Sequence, residues 1–138
     1  VYVGALQPRK NVDRLAEAFA RLKDKGLDHK LVIVGRKTWL HAEMMKRIAG
    51  LGIGDRIVFT GYADDEDVPA LISGAAAFAY VSLYEGYGLP VIEALACGTP
   101  VVASTDPAIM EVAGGAAIHC DPLSVDAIAD GLERALTD

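Results

Sequence analysis

Six short and nearly continuous apolar runs occur along the chain, and each is predicted to be a β-strand. They are residues 1–6, 30–35, 56–61, 76–82, 100–104 and 116–121. Polar residues do not alternate with apolar ones in these runs, as they would in a strand with one face in water. The pattern therefore favours a parallel sheet that is covered on both faces.

The segments between the strands have the spacing of amphipathic helices. We predict helices over residues 12–25, 40–51, 65–74, 90–97 and 124–136. Strands that alternate with helices imply right-handed crossovers and a doubly wound, Rossmann-like α/β fold with six parallel strands in one sheet. With strand order 3-2-1-4-5-6, ligands bind in the crevice between strands 1 and 4. The loops Gln7–Asn11 and Leu83–Pro90 are expected there.

Length and charge limit the classes of function. The chain of 138 residues is expected to be one domain, and its net charge of −6 argues against nucleic acid as a partner. Two distant cysteines, Cys97 and Cys120, indicate neither a disulfide framework nor a zinc site, which suits a reducing cytoplasm. The chain begins with the strand pattern "VYVGAL", without a leader or an initiator methionine. We therefore expect it to be part of a longer protein.

A glycine-rich turn, "EGYGLP", joins the fourth strand to the following helix. Gly86 and Gly88 would let the backbone approach a ligand, and Pro90 suits the first helical position, so that free N–H groups point into the crevice. A phosphate is favoured at such a helix N-terminus. A plain strand-to-helix turn explains the glycines equally well. Arg9 and Lys10 on the opposing loop favour the phosphate site.

Two glutamates flank this turn, Glu85 before it and Glu93 about one helical turn inside the helix. Both carboxylates are expected around one pocket. They would suit an acid/base pair or the binding of sugar hydroxyls, as acidic residues bind ribose in dinucleotide folds. With a phosphate site between them, we favour a ribose for one glutamate and a second sugar for the other. Alternatively, Glu93 binds no ligand and only stabilises the helix, because its negative charge interacts favourably with the N-terminal end of the helix dipole.

The chain resembles the retaining glycosyltransferases of family 4 along nearly its whole length. "EGYGLPVIE" fits the E-x7-E pattern of that family. Further blocks follow the family's order: "VGALQPRKN", "LVIVGRKTW", "IVFTGYADDEDVPALISGA", "EALACGTPVVAS" and "EVAGGAAIHCDP". The resemblance implies the C-terminal, donor-binding half of a GT-B enzyme, in which two Rossmann-like domains close over a nucleotide sugar.

The resemblance also implies roles for single residues. Glu85 would be the catalytic-site residue that binds hydroxyls of the transferred sugar, and Glu93 would bind the nucleotide ribose. Lys10 would pair with the diphosphate. Many relatives carry an arginine where this chain has Ala5, and we expect Arg9 to take its place. The remaining donor-binding residues would be Gly61 and Tyr62 near the base, and Gly86, Tyr87, Gly88 and Leu89 at the turn.

Other polar groups near the crevice have simpler explanations. Arg36, Lys37 and Trp39 follow the second strand and would approach the donor, although exposed loop cations usually have no specific role. The acidic run 64–67 is interpreted as a helix cap rather than a metal site. The histidines, His29, His41 and His119, lack ligand spacing and are expected to be structural.

We therefore predict a domain of a retaining hexosyltransferase that uses a nucleoside-diphosphate sugar and no metal or other cofactor. Its expected partners are the nucleotide sugar and its own N-terminal acceptor-binding domain. The expected location is the cytoplasm, with peripheral association at the inner face of the membrane through that domain as an open alternative. A sugar-nucleotide epimerase, a phosphorylase or a non-catalytic nucleotide-binding domain also remains open. Base, sugar and acceptor are undetermined, and GDP-mannose is a guess weighted by the family.

Overall fold

Six parallel strands form the centre of the structure, a computed structural model that describes residues 1–38 and 41–138. The strands are β1 (Tyr2–Val3), β2 (Leu31–Val34), β3 (Ile57–Gly61), β4 (Phe78–Tyr80), β5 (Val101–Ser104) and β6 (Ile118–Cys120). Every residue of β4 and β5 is buried, because helices cover both faces of the sheet there. The observed strands are shorter than the apolar runs that predicted them.

The strands are arranged in the order 3-2-1-4-5-6. β1, β2 and β3 form one parallel ladder, and β4, β5 and β6 form a second. The ladders meet where the Val1 nitrogen donates to the Ala77 carbonyl oxygen (2.8 Å) and the Ala79 nitrogen donates to the Val1 carbonyl oxygen (2.9 Å). The predicted doubly wound parallel α/β fold is confirmed. Its sheet consists of two three-stranded ladders because the two-residue β1 is too short to form a full ladder with β4.

In the described ranges, six α-helices cover the sheet, three on each face. They are α1 (Val12–Arg21), α2 (Ala42–Ala49), α3 (Val68–Ser73), α4 (Leu89–Ala96), α5 (Pro107–Ala113) and α6 (Val125–Thr137). α1 packs between α2 and α6, and α4 packs between α3 and α5. The apolar face predicted for α1 is buried, and a 3-10 turn over Leu22–Lys25 extends that helix.

Two helix predictions differ from the structure. α5 was not predicted, because it is short and begins with a proline. Its start is marked by Asp106, whose carboxylate accepts a hydrogen bond from the Ala108 nitrogen at 3.1 Å. α3 begins at Val68, three residues later than predicted, so the acidic run precedes the helix. Asp67 occupies the N-cap position, but its side chain accepts no capping hydrogen bond.

Candidate functional site

A buried carboxylate, that of Glu85, lies at the carboxyl-terminal edge of the sheet beyond β4. Glu85 is only 7% exposed. Its Oε1 atom accepts hydrogen bonds from the Tyr80 hydroxyl (2.7 Å) and from Lys10 Nζ (3.0 Å). Its Oε2 atom accepts from Lys10 Nζ (2.9 Å) and from Arg9 Nη1 (2.6 Å). These contacts replace the water that a buried carboxylate loses.

The environment of Glu85 keeps the carboxylate ionised. Burial is the largest single influence and raises the pKa of Glu85. The hydrogen bonds from Tyr80 and Lys10, together with the charges of Lys10 and Arg9, act in the opposite direction. Their sum prevails and holds the pKa below its ordinary value of 4.5. Glu85 therefore carries a negative charge at neutral pH and can accept hydrogen bonds through both oxygens.

Tyr80 is the member of this cluster that the sequence analysis did not identify. It is the last residue of β4, five positions before Glu85, and its side chain is completely buried. Burial, followed by the hydrogen bond to Glu85, raises the pKa of the Tyr80 hydroxyl above its ordinary value. The hydroxyl therefore stays protonated and donates to Glu85. Phe78 precedes Tyr80 in the same apolar run, so the sequence did not distinguish Tyr80 from an ordinary aromatic core residue.

The backbone around Asn11 holds both cations in place. Arg9 and Lys10 belong to a 3-10 turn over Pro8–Lys10, and Asn11 ends it in a left-handed conformation with φ of 64°. Asparagine tolerates this conformation better than most residues. The Asn11 amide donates to the carbonyl oxygens of Val81 (2.9 Å) and Pro122 (2.7 Å), which ties this turn to the segments after β4 and β6. The predicted proximity of this loop to the glycine turn is thus observed.

The glycine turn continues from Glu85 into α4. Gly88 is the N-cap residue, with φ of 84°, so a side chain there would be strained. Pro90 is the second helical residue, not the first as predicted. Gly86 lies beside open space, where an added Cβ atom would meet no neighbour within 4 Å. In the part of the chain that the structure describes, the amides of Gly86, Tyr87 and Gly88 have no hydrogen-bond partner. Amides without a partner at a helix N-terminus can bind an anion.

Glu93 lies in a different environment from Glu85. Its side chain is exposed on α4 and lines a cavity of about 570 Å³ between α4 and α3. The other walls of this cavity are formed by Val3, Asp65, Val68, Pro69, Ile72, Ala96 and Cys97. One glutamate is thus paired with cations, whereas the other faces a partly apolar cavity of a size that suits a small organic group.

The remaining candidate residues that the structure describes do not line this cavity. Gly61 ends β3 with φ of 72°, and Tyr62 is 59% exposed with the Arg36 guanidinium 4.8 Å from its ring centre. Lys37 Nζ lies 5.7 Å from the centre of the Phe59 ring. Trp39 lies outside the described residues. The side chains of Tyr87 and Leu89 are 64% and 54% exposed.

The rest of the described chain adds no second polar centre of this kind. Residues 1–38 and 41–138 contain no group of three or more His, Cys, Asp or Glu side chains that would hold a metal ion. The ring nitrogens of His119 lie within hydrogen-bond distance of the carbonyl oxygens of Ser104 and Gly114, which agrees with a structural role. No helix among these residues has the length and apolar character needed to cross a membrane.

Comparisons with known proteins agree with the motifs. The family model described as glycosyl transferases group 1 matches residues 1–138. The chain is 36% identical over 140 residues to the O-antigen chain mannosyltransferase B of Escherichia coli, covering all of this chain and 36% of that protein. It is also 36% identical over 141 residues to a GDP-mannose-dependent alpha-(1-6)-phosphatidylinositol dimannoside mannosyltransferase of Mycobacterium tuberculosis, covering 99% of this chain and 35% of that protein.

A solved structure supports the same relationship. The crystal structure of the C-terminal domain of a glycosyl transferase group 1 family protein from Francisella tularensis superposes with a TM-score of 0.85 at 26% identity. The match covers 99% of this chain and 74% of that one. By contrast, the chain spans about a third of the length of the two mannosyltransferases.

Proposed function

Because this chain belongs to the glycosyl transferases group 1 family, as its motifs predicted, we propose that it is the donor-binding domain of a retaining hexosyltransferase. The observation that carries this proposal is the cluster of the buried Glu85 and Lys10 with the half-exposed Arg9, beside the glycine turn. It brings two cations, a carboxylate and free backbone amides to one edge of the sheet. A nucleoside-diphosphate sugar requires these groups: cations and amides for the diphosphate, and a carboxylate for sugar hydroxyls.

The donor would lie along the crevice from Glu85 to the cavity beside Glu93. Lys10, Arg9 and the amides of Gly86, Tyr87 and Gly88 would bind the diphosphate, because they are the cations and free donors at this edge. Glu85 would bind hydroxyls of the transferred sugar.

The nucleoside would lie on the far side of the diphosphate. Glu93 would accept hydrogen bonds from the ribose hydroxyls, since it lines a cavity of about 570 Å³ next to α4. Gly61, Tyr62 and Leu89 would contribute further contacts with the donor, with Tyr62 near the base. The exposed faces of Tyr62 and Leu89 support this role, because neither side chain is needed in the core.

We further propose that the donor is GDP-mannose. Two relatives at 36% identity are named as mannosyltransferases, and the name of one states that it depends on GDP-mannose. Transfer would need no metal bound by this domain, because Lys10 and Arg9 supply the positive charge that a metal ion would otherwise bring to the diphosphate.

The acceptor site would lie on an N-terminal domain of the full-length protein. The relatives are about three times as long as this chain, which supports the presence of such a domain. The isolated chain would then bind the donor and transfer little sugar. We expect the enzyme in the cytoplasm and a role in polysaccharide biosynthesis, with peripheral association at the inner face of the membrane through the N-terminal domain as an alternative.

Calorimetry with GDP, UDP and ADP, each with and without EDTA, tests the donor site on the 138-residue chain. GDP should bind most tightly, and EDTA should not change its affinity. Arg9→Met should weaken GDP binding, whereas Arg21→Met, which removes an exposed arginine that pairs with Asp126 on α6, should not. Binding of none of the three nucleotides, or binding only with a divalent ion, would contradict the proposal.

A further inference from the structure

The Tyr80 hydroxyl is the most rigidly held donor in the Glu85 cluster. Its ring is completely buried and is stacked on Tyr2 (centroids 5.9 Å apart, planes at 14°) and on Phe78 (6.0 Å, 12°). The hydroxyl accepts a hydrogen bond from Lys10 Nζ at 2.6 Å and donates to Glu85 Oε1 at 2.7 Å. It cannot move away from Glu85 unless the aromatic stack in the sheet moves as well.

The two cations are the charged donors of the Glu85 cluster. Lys10 and Arg9 reach Glu85 through long side chains, and the Arg9 side chain is 45% exposed. Both carry several N–H donors, and both are the groups that a diphosphate would bind. A donor that takes these N–H groups removes charge-assisted hydrogen bonds from Glu85. The Tyr80 hydroxyl is neutral and buried, so it does not take part in this exchange.

We propose that Tyr80 is a positioning residue, which holds Glu85 in place for the transferred sugar while Lys10 and Arg9 turn to the diphosphate. This role rests on the function proposed above. The geometry of the carboxylate supports it, because the two oxygens have different neighbours. Oε1 lies on the buried side with Tyr80, whereas Oε2 lies beside the half-exposed Arg9. Tyr80 thus fixes Oε1, and Oε2 is the oxygen that meets the sugar hydroxyl.

Removal of the Tyr80 hydroxyl tests this role, and the aromatic stack provides a matched control. Tyr80→Phe keeps the ring in the stack and removes the bond to Glu85. Tyr2→Phe removes the other stacked hydroxyl, which donates to the Ala5 carbonyl oxygen at 2.9 Å and not to Glu85. The assay is the release of GDP from GDP-mannose by the full-length protein with water as the acceptor, measured as kcat and KM between pH 4 and 9, with melting temperatures recorded for every variant.

We expect Tyr80→Phe to lower kcat by about 10- to 100-fold, the loss typical of one hydrogen bond to a charged group, with KM nearly unchanged. The acid limb of its pH profile should move toward neutral pH, because Glu85 then loses a donor that lowers its pKa. Tyr2→Phe should keep the wild-type kcat and pH profile. In a Glu85→Gln background, Tyr80→Phe should add no further loss, since the hydroxyl acts through that carboxylate.

The outcomes separate the positioning role from the proposed function. If the wild type releases GDP and the two tyrosine variants have equal kcat and equal pH profiles, the positioning role is wrong and the transferase function stands. A full additional loss in the Glu85→Gln background would also overturn the positioning role, even if Tyr80→Phe melts at a lower temperature. If the wild type neither binds GDP nor releases it from GDP-mannose, the proposed function fails and the positioning role fails with it.

Discussion

Replacement of Glu85 by glutamine should strengthen the binding of GDP. In this structure Glu85 binds both cations that the diphosphate would need, with Lys10 Nζ at 2.9 Å and Arg9 Nη1 at 2.6 Å. A diphosphate must therefore share these cations with a carboxylate that also repels it. Glu85→Gln removes the negative charge and keeps the shape and one acceptor oxygen. Lys10, which is 8% exposed, is then a buried cation without a full counter-ion. Its interaction with a bound phosphate therefore becomes more favourable than in the wild type.

The size of the effect follows mainly from Lys10. A hydrogen bond to a charged group contributes about 1.5 to 3 kcal/mol. The half-exposed Arg9 adds little, because water screens its ion pair. Since the glutamine oxygen retains part of the bond to Lys10, we expect a net gain of about 1 to 2 kcal/mol. This corresponds to a GDP affinity about 5- to 30-fold higher than that of the wild type. The same variant should lower sugar transfer by the full-length enzyme, because Glu85 no longer binds the sugar as an ion.

Isothermal titration of GDP into the 138-residue chain measures this difference directly. The matched control is Glu133→Gln on α6, which also removes one negative charge and one ion pair. In that pair Lys25 Nζ lies 2.9 Å from Glu133 Oε2. That variant should bind GDP as the wild type does. A Glu85→Gln protein that melts cooperatively but binds GDP equally or more weakly than the wild type would refute the idea that the carboxylate competes with the diphosphate.

Three further predictions concern Glu93, the glycine turn and acid stability. Glu93→Ala should lower the affinity for GDP and for GDP-mannose alike, by about 10- to 150-fold if the hydrogen bonds to the ribose are charge-assisted. If the variant bound both ligands as tightly as the wild type does, Glu93 would be excluded as a ribose ligand. Gly88→Ala should lower the free energy of unfolding by about 1 to 2 kcal/mol, because Gly88 has φ of 84°. Gly86→Ala should leave the free energy of unfolding unchanged but weaken GDP binding. Denaturant titrations of both glycine variants measure the difference in stability, and titration of GDP measures the difference in binding. The pKa of Glu85 is depressed, so its contribution to stability is present above its ordinary pKa of 4.5 and is lost as the pH falls through the lower folded-state value. The difference in unfolding free energy between wild type and Glu85→Gln should therefore shrink below about pH 4.5, and a constant difference down to pH 3 would contradict this.

The pattern of the sequence by itself determined the fold class and the location of the site. Apolar runs without alternation predicted buried parallel strands, because such strands are covered on both sides. The order of strands and helices then placed the loops after the first and fourth strands at one crevice, where Arg9, Lys10 and Glu85 are found. These inferences succeed because local periodicity and crossover handedness depend on neighbouring residues and on chirality.

The pairing of groups within the site was decided only by the tertiary structure. Lys10 and Glu85 are separated by 75 residues, and their 2.9 Å contact depends on how β1 and β4 meet through Val1. Spacing along the chain suggested one pocket for both glutamates, whereas burial distinguishes the paired Glu85 from the exposed Glu93. Tyr80 had no motif to mark it. Its importance comes from a hydroxyl that the aromatic stack directs at Glu85, and such a contact exists only when distant segments are packed together.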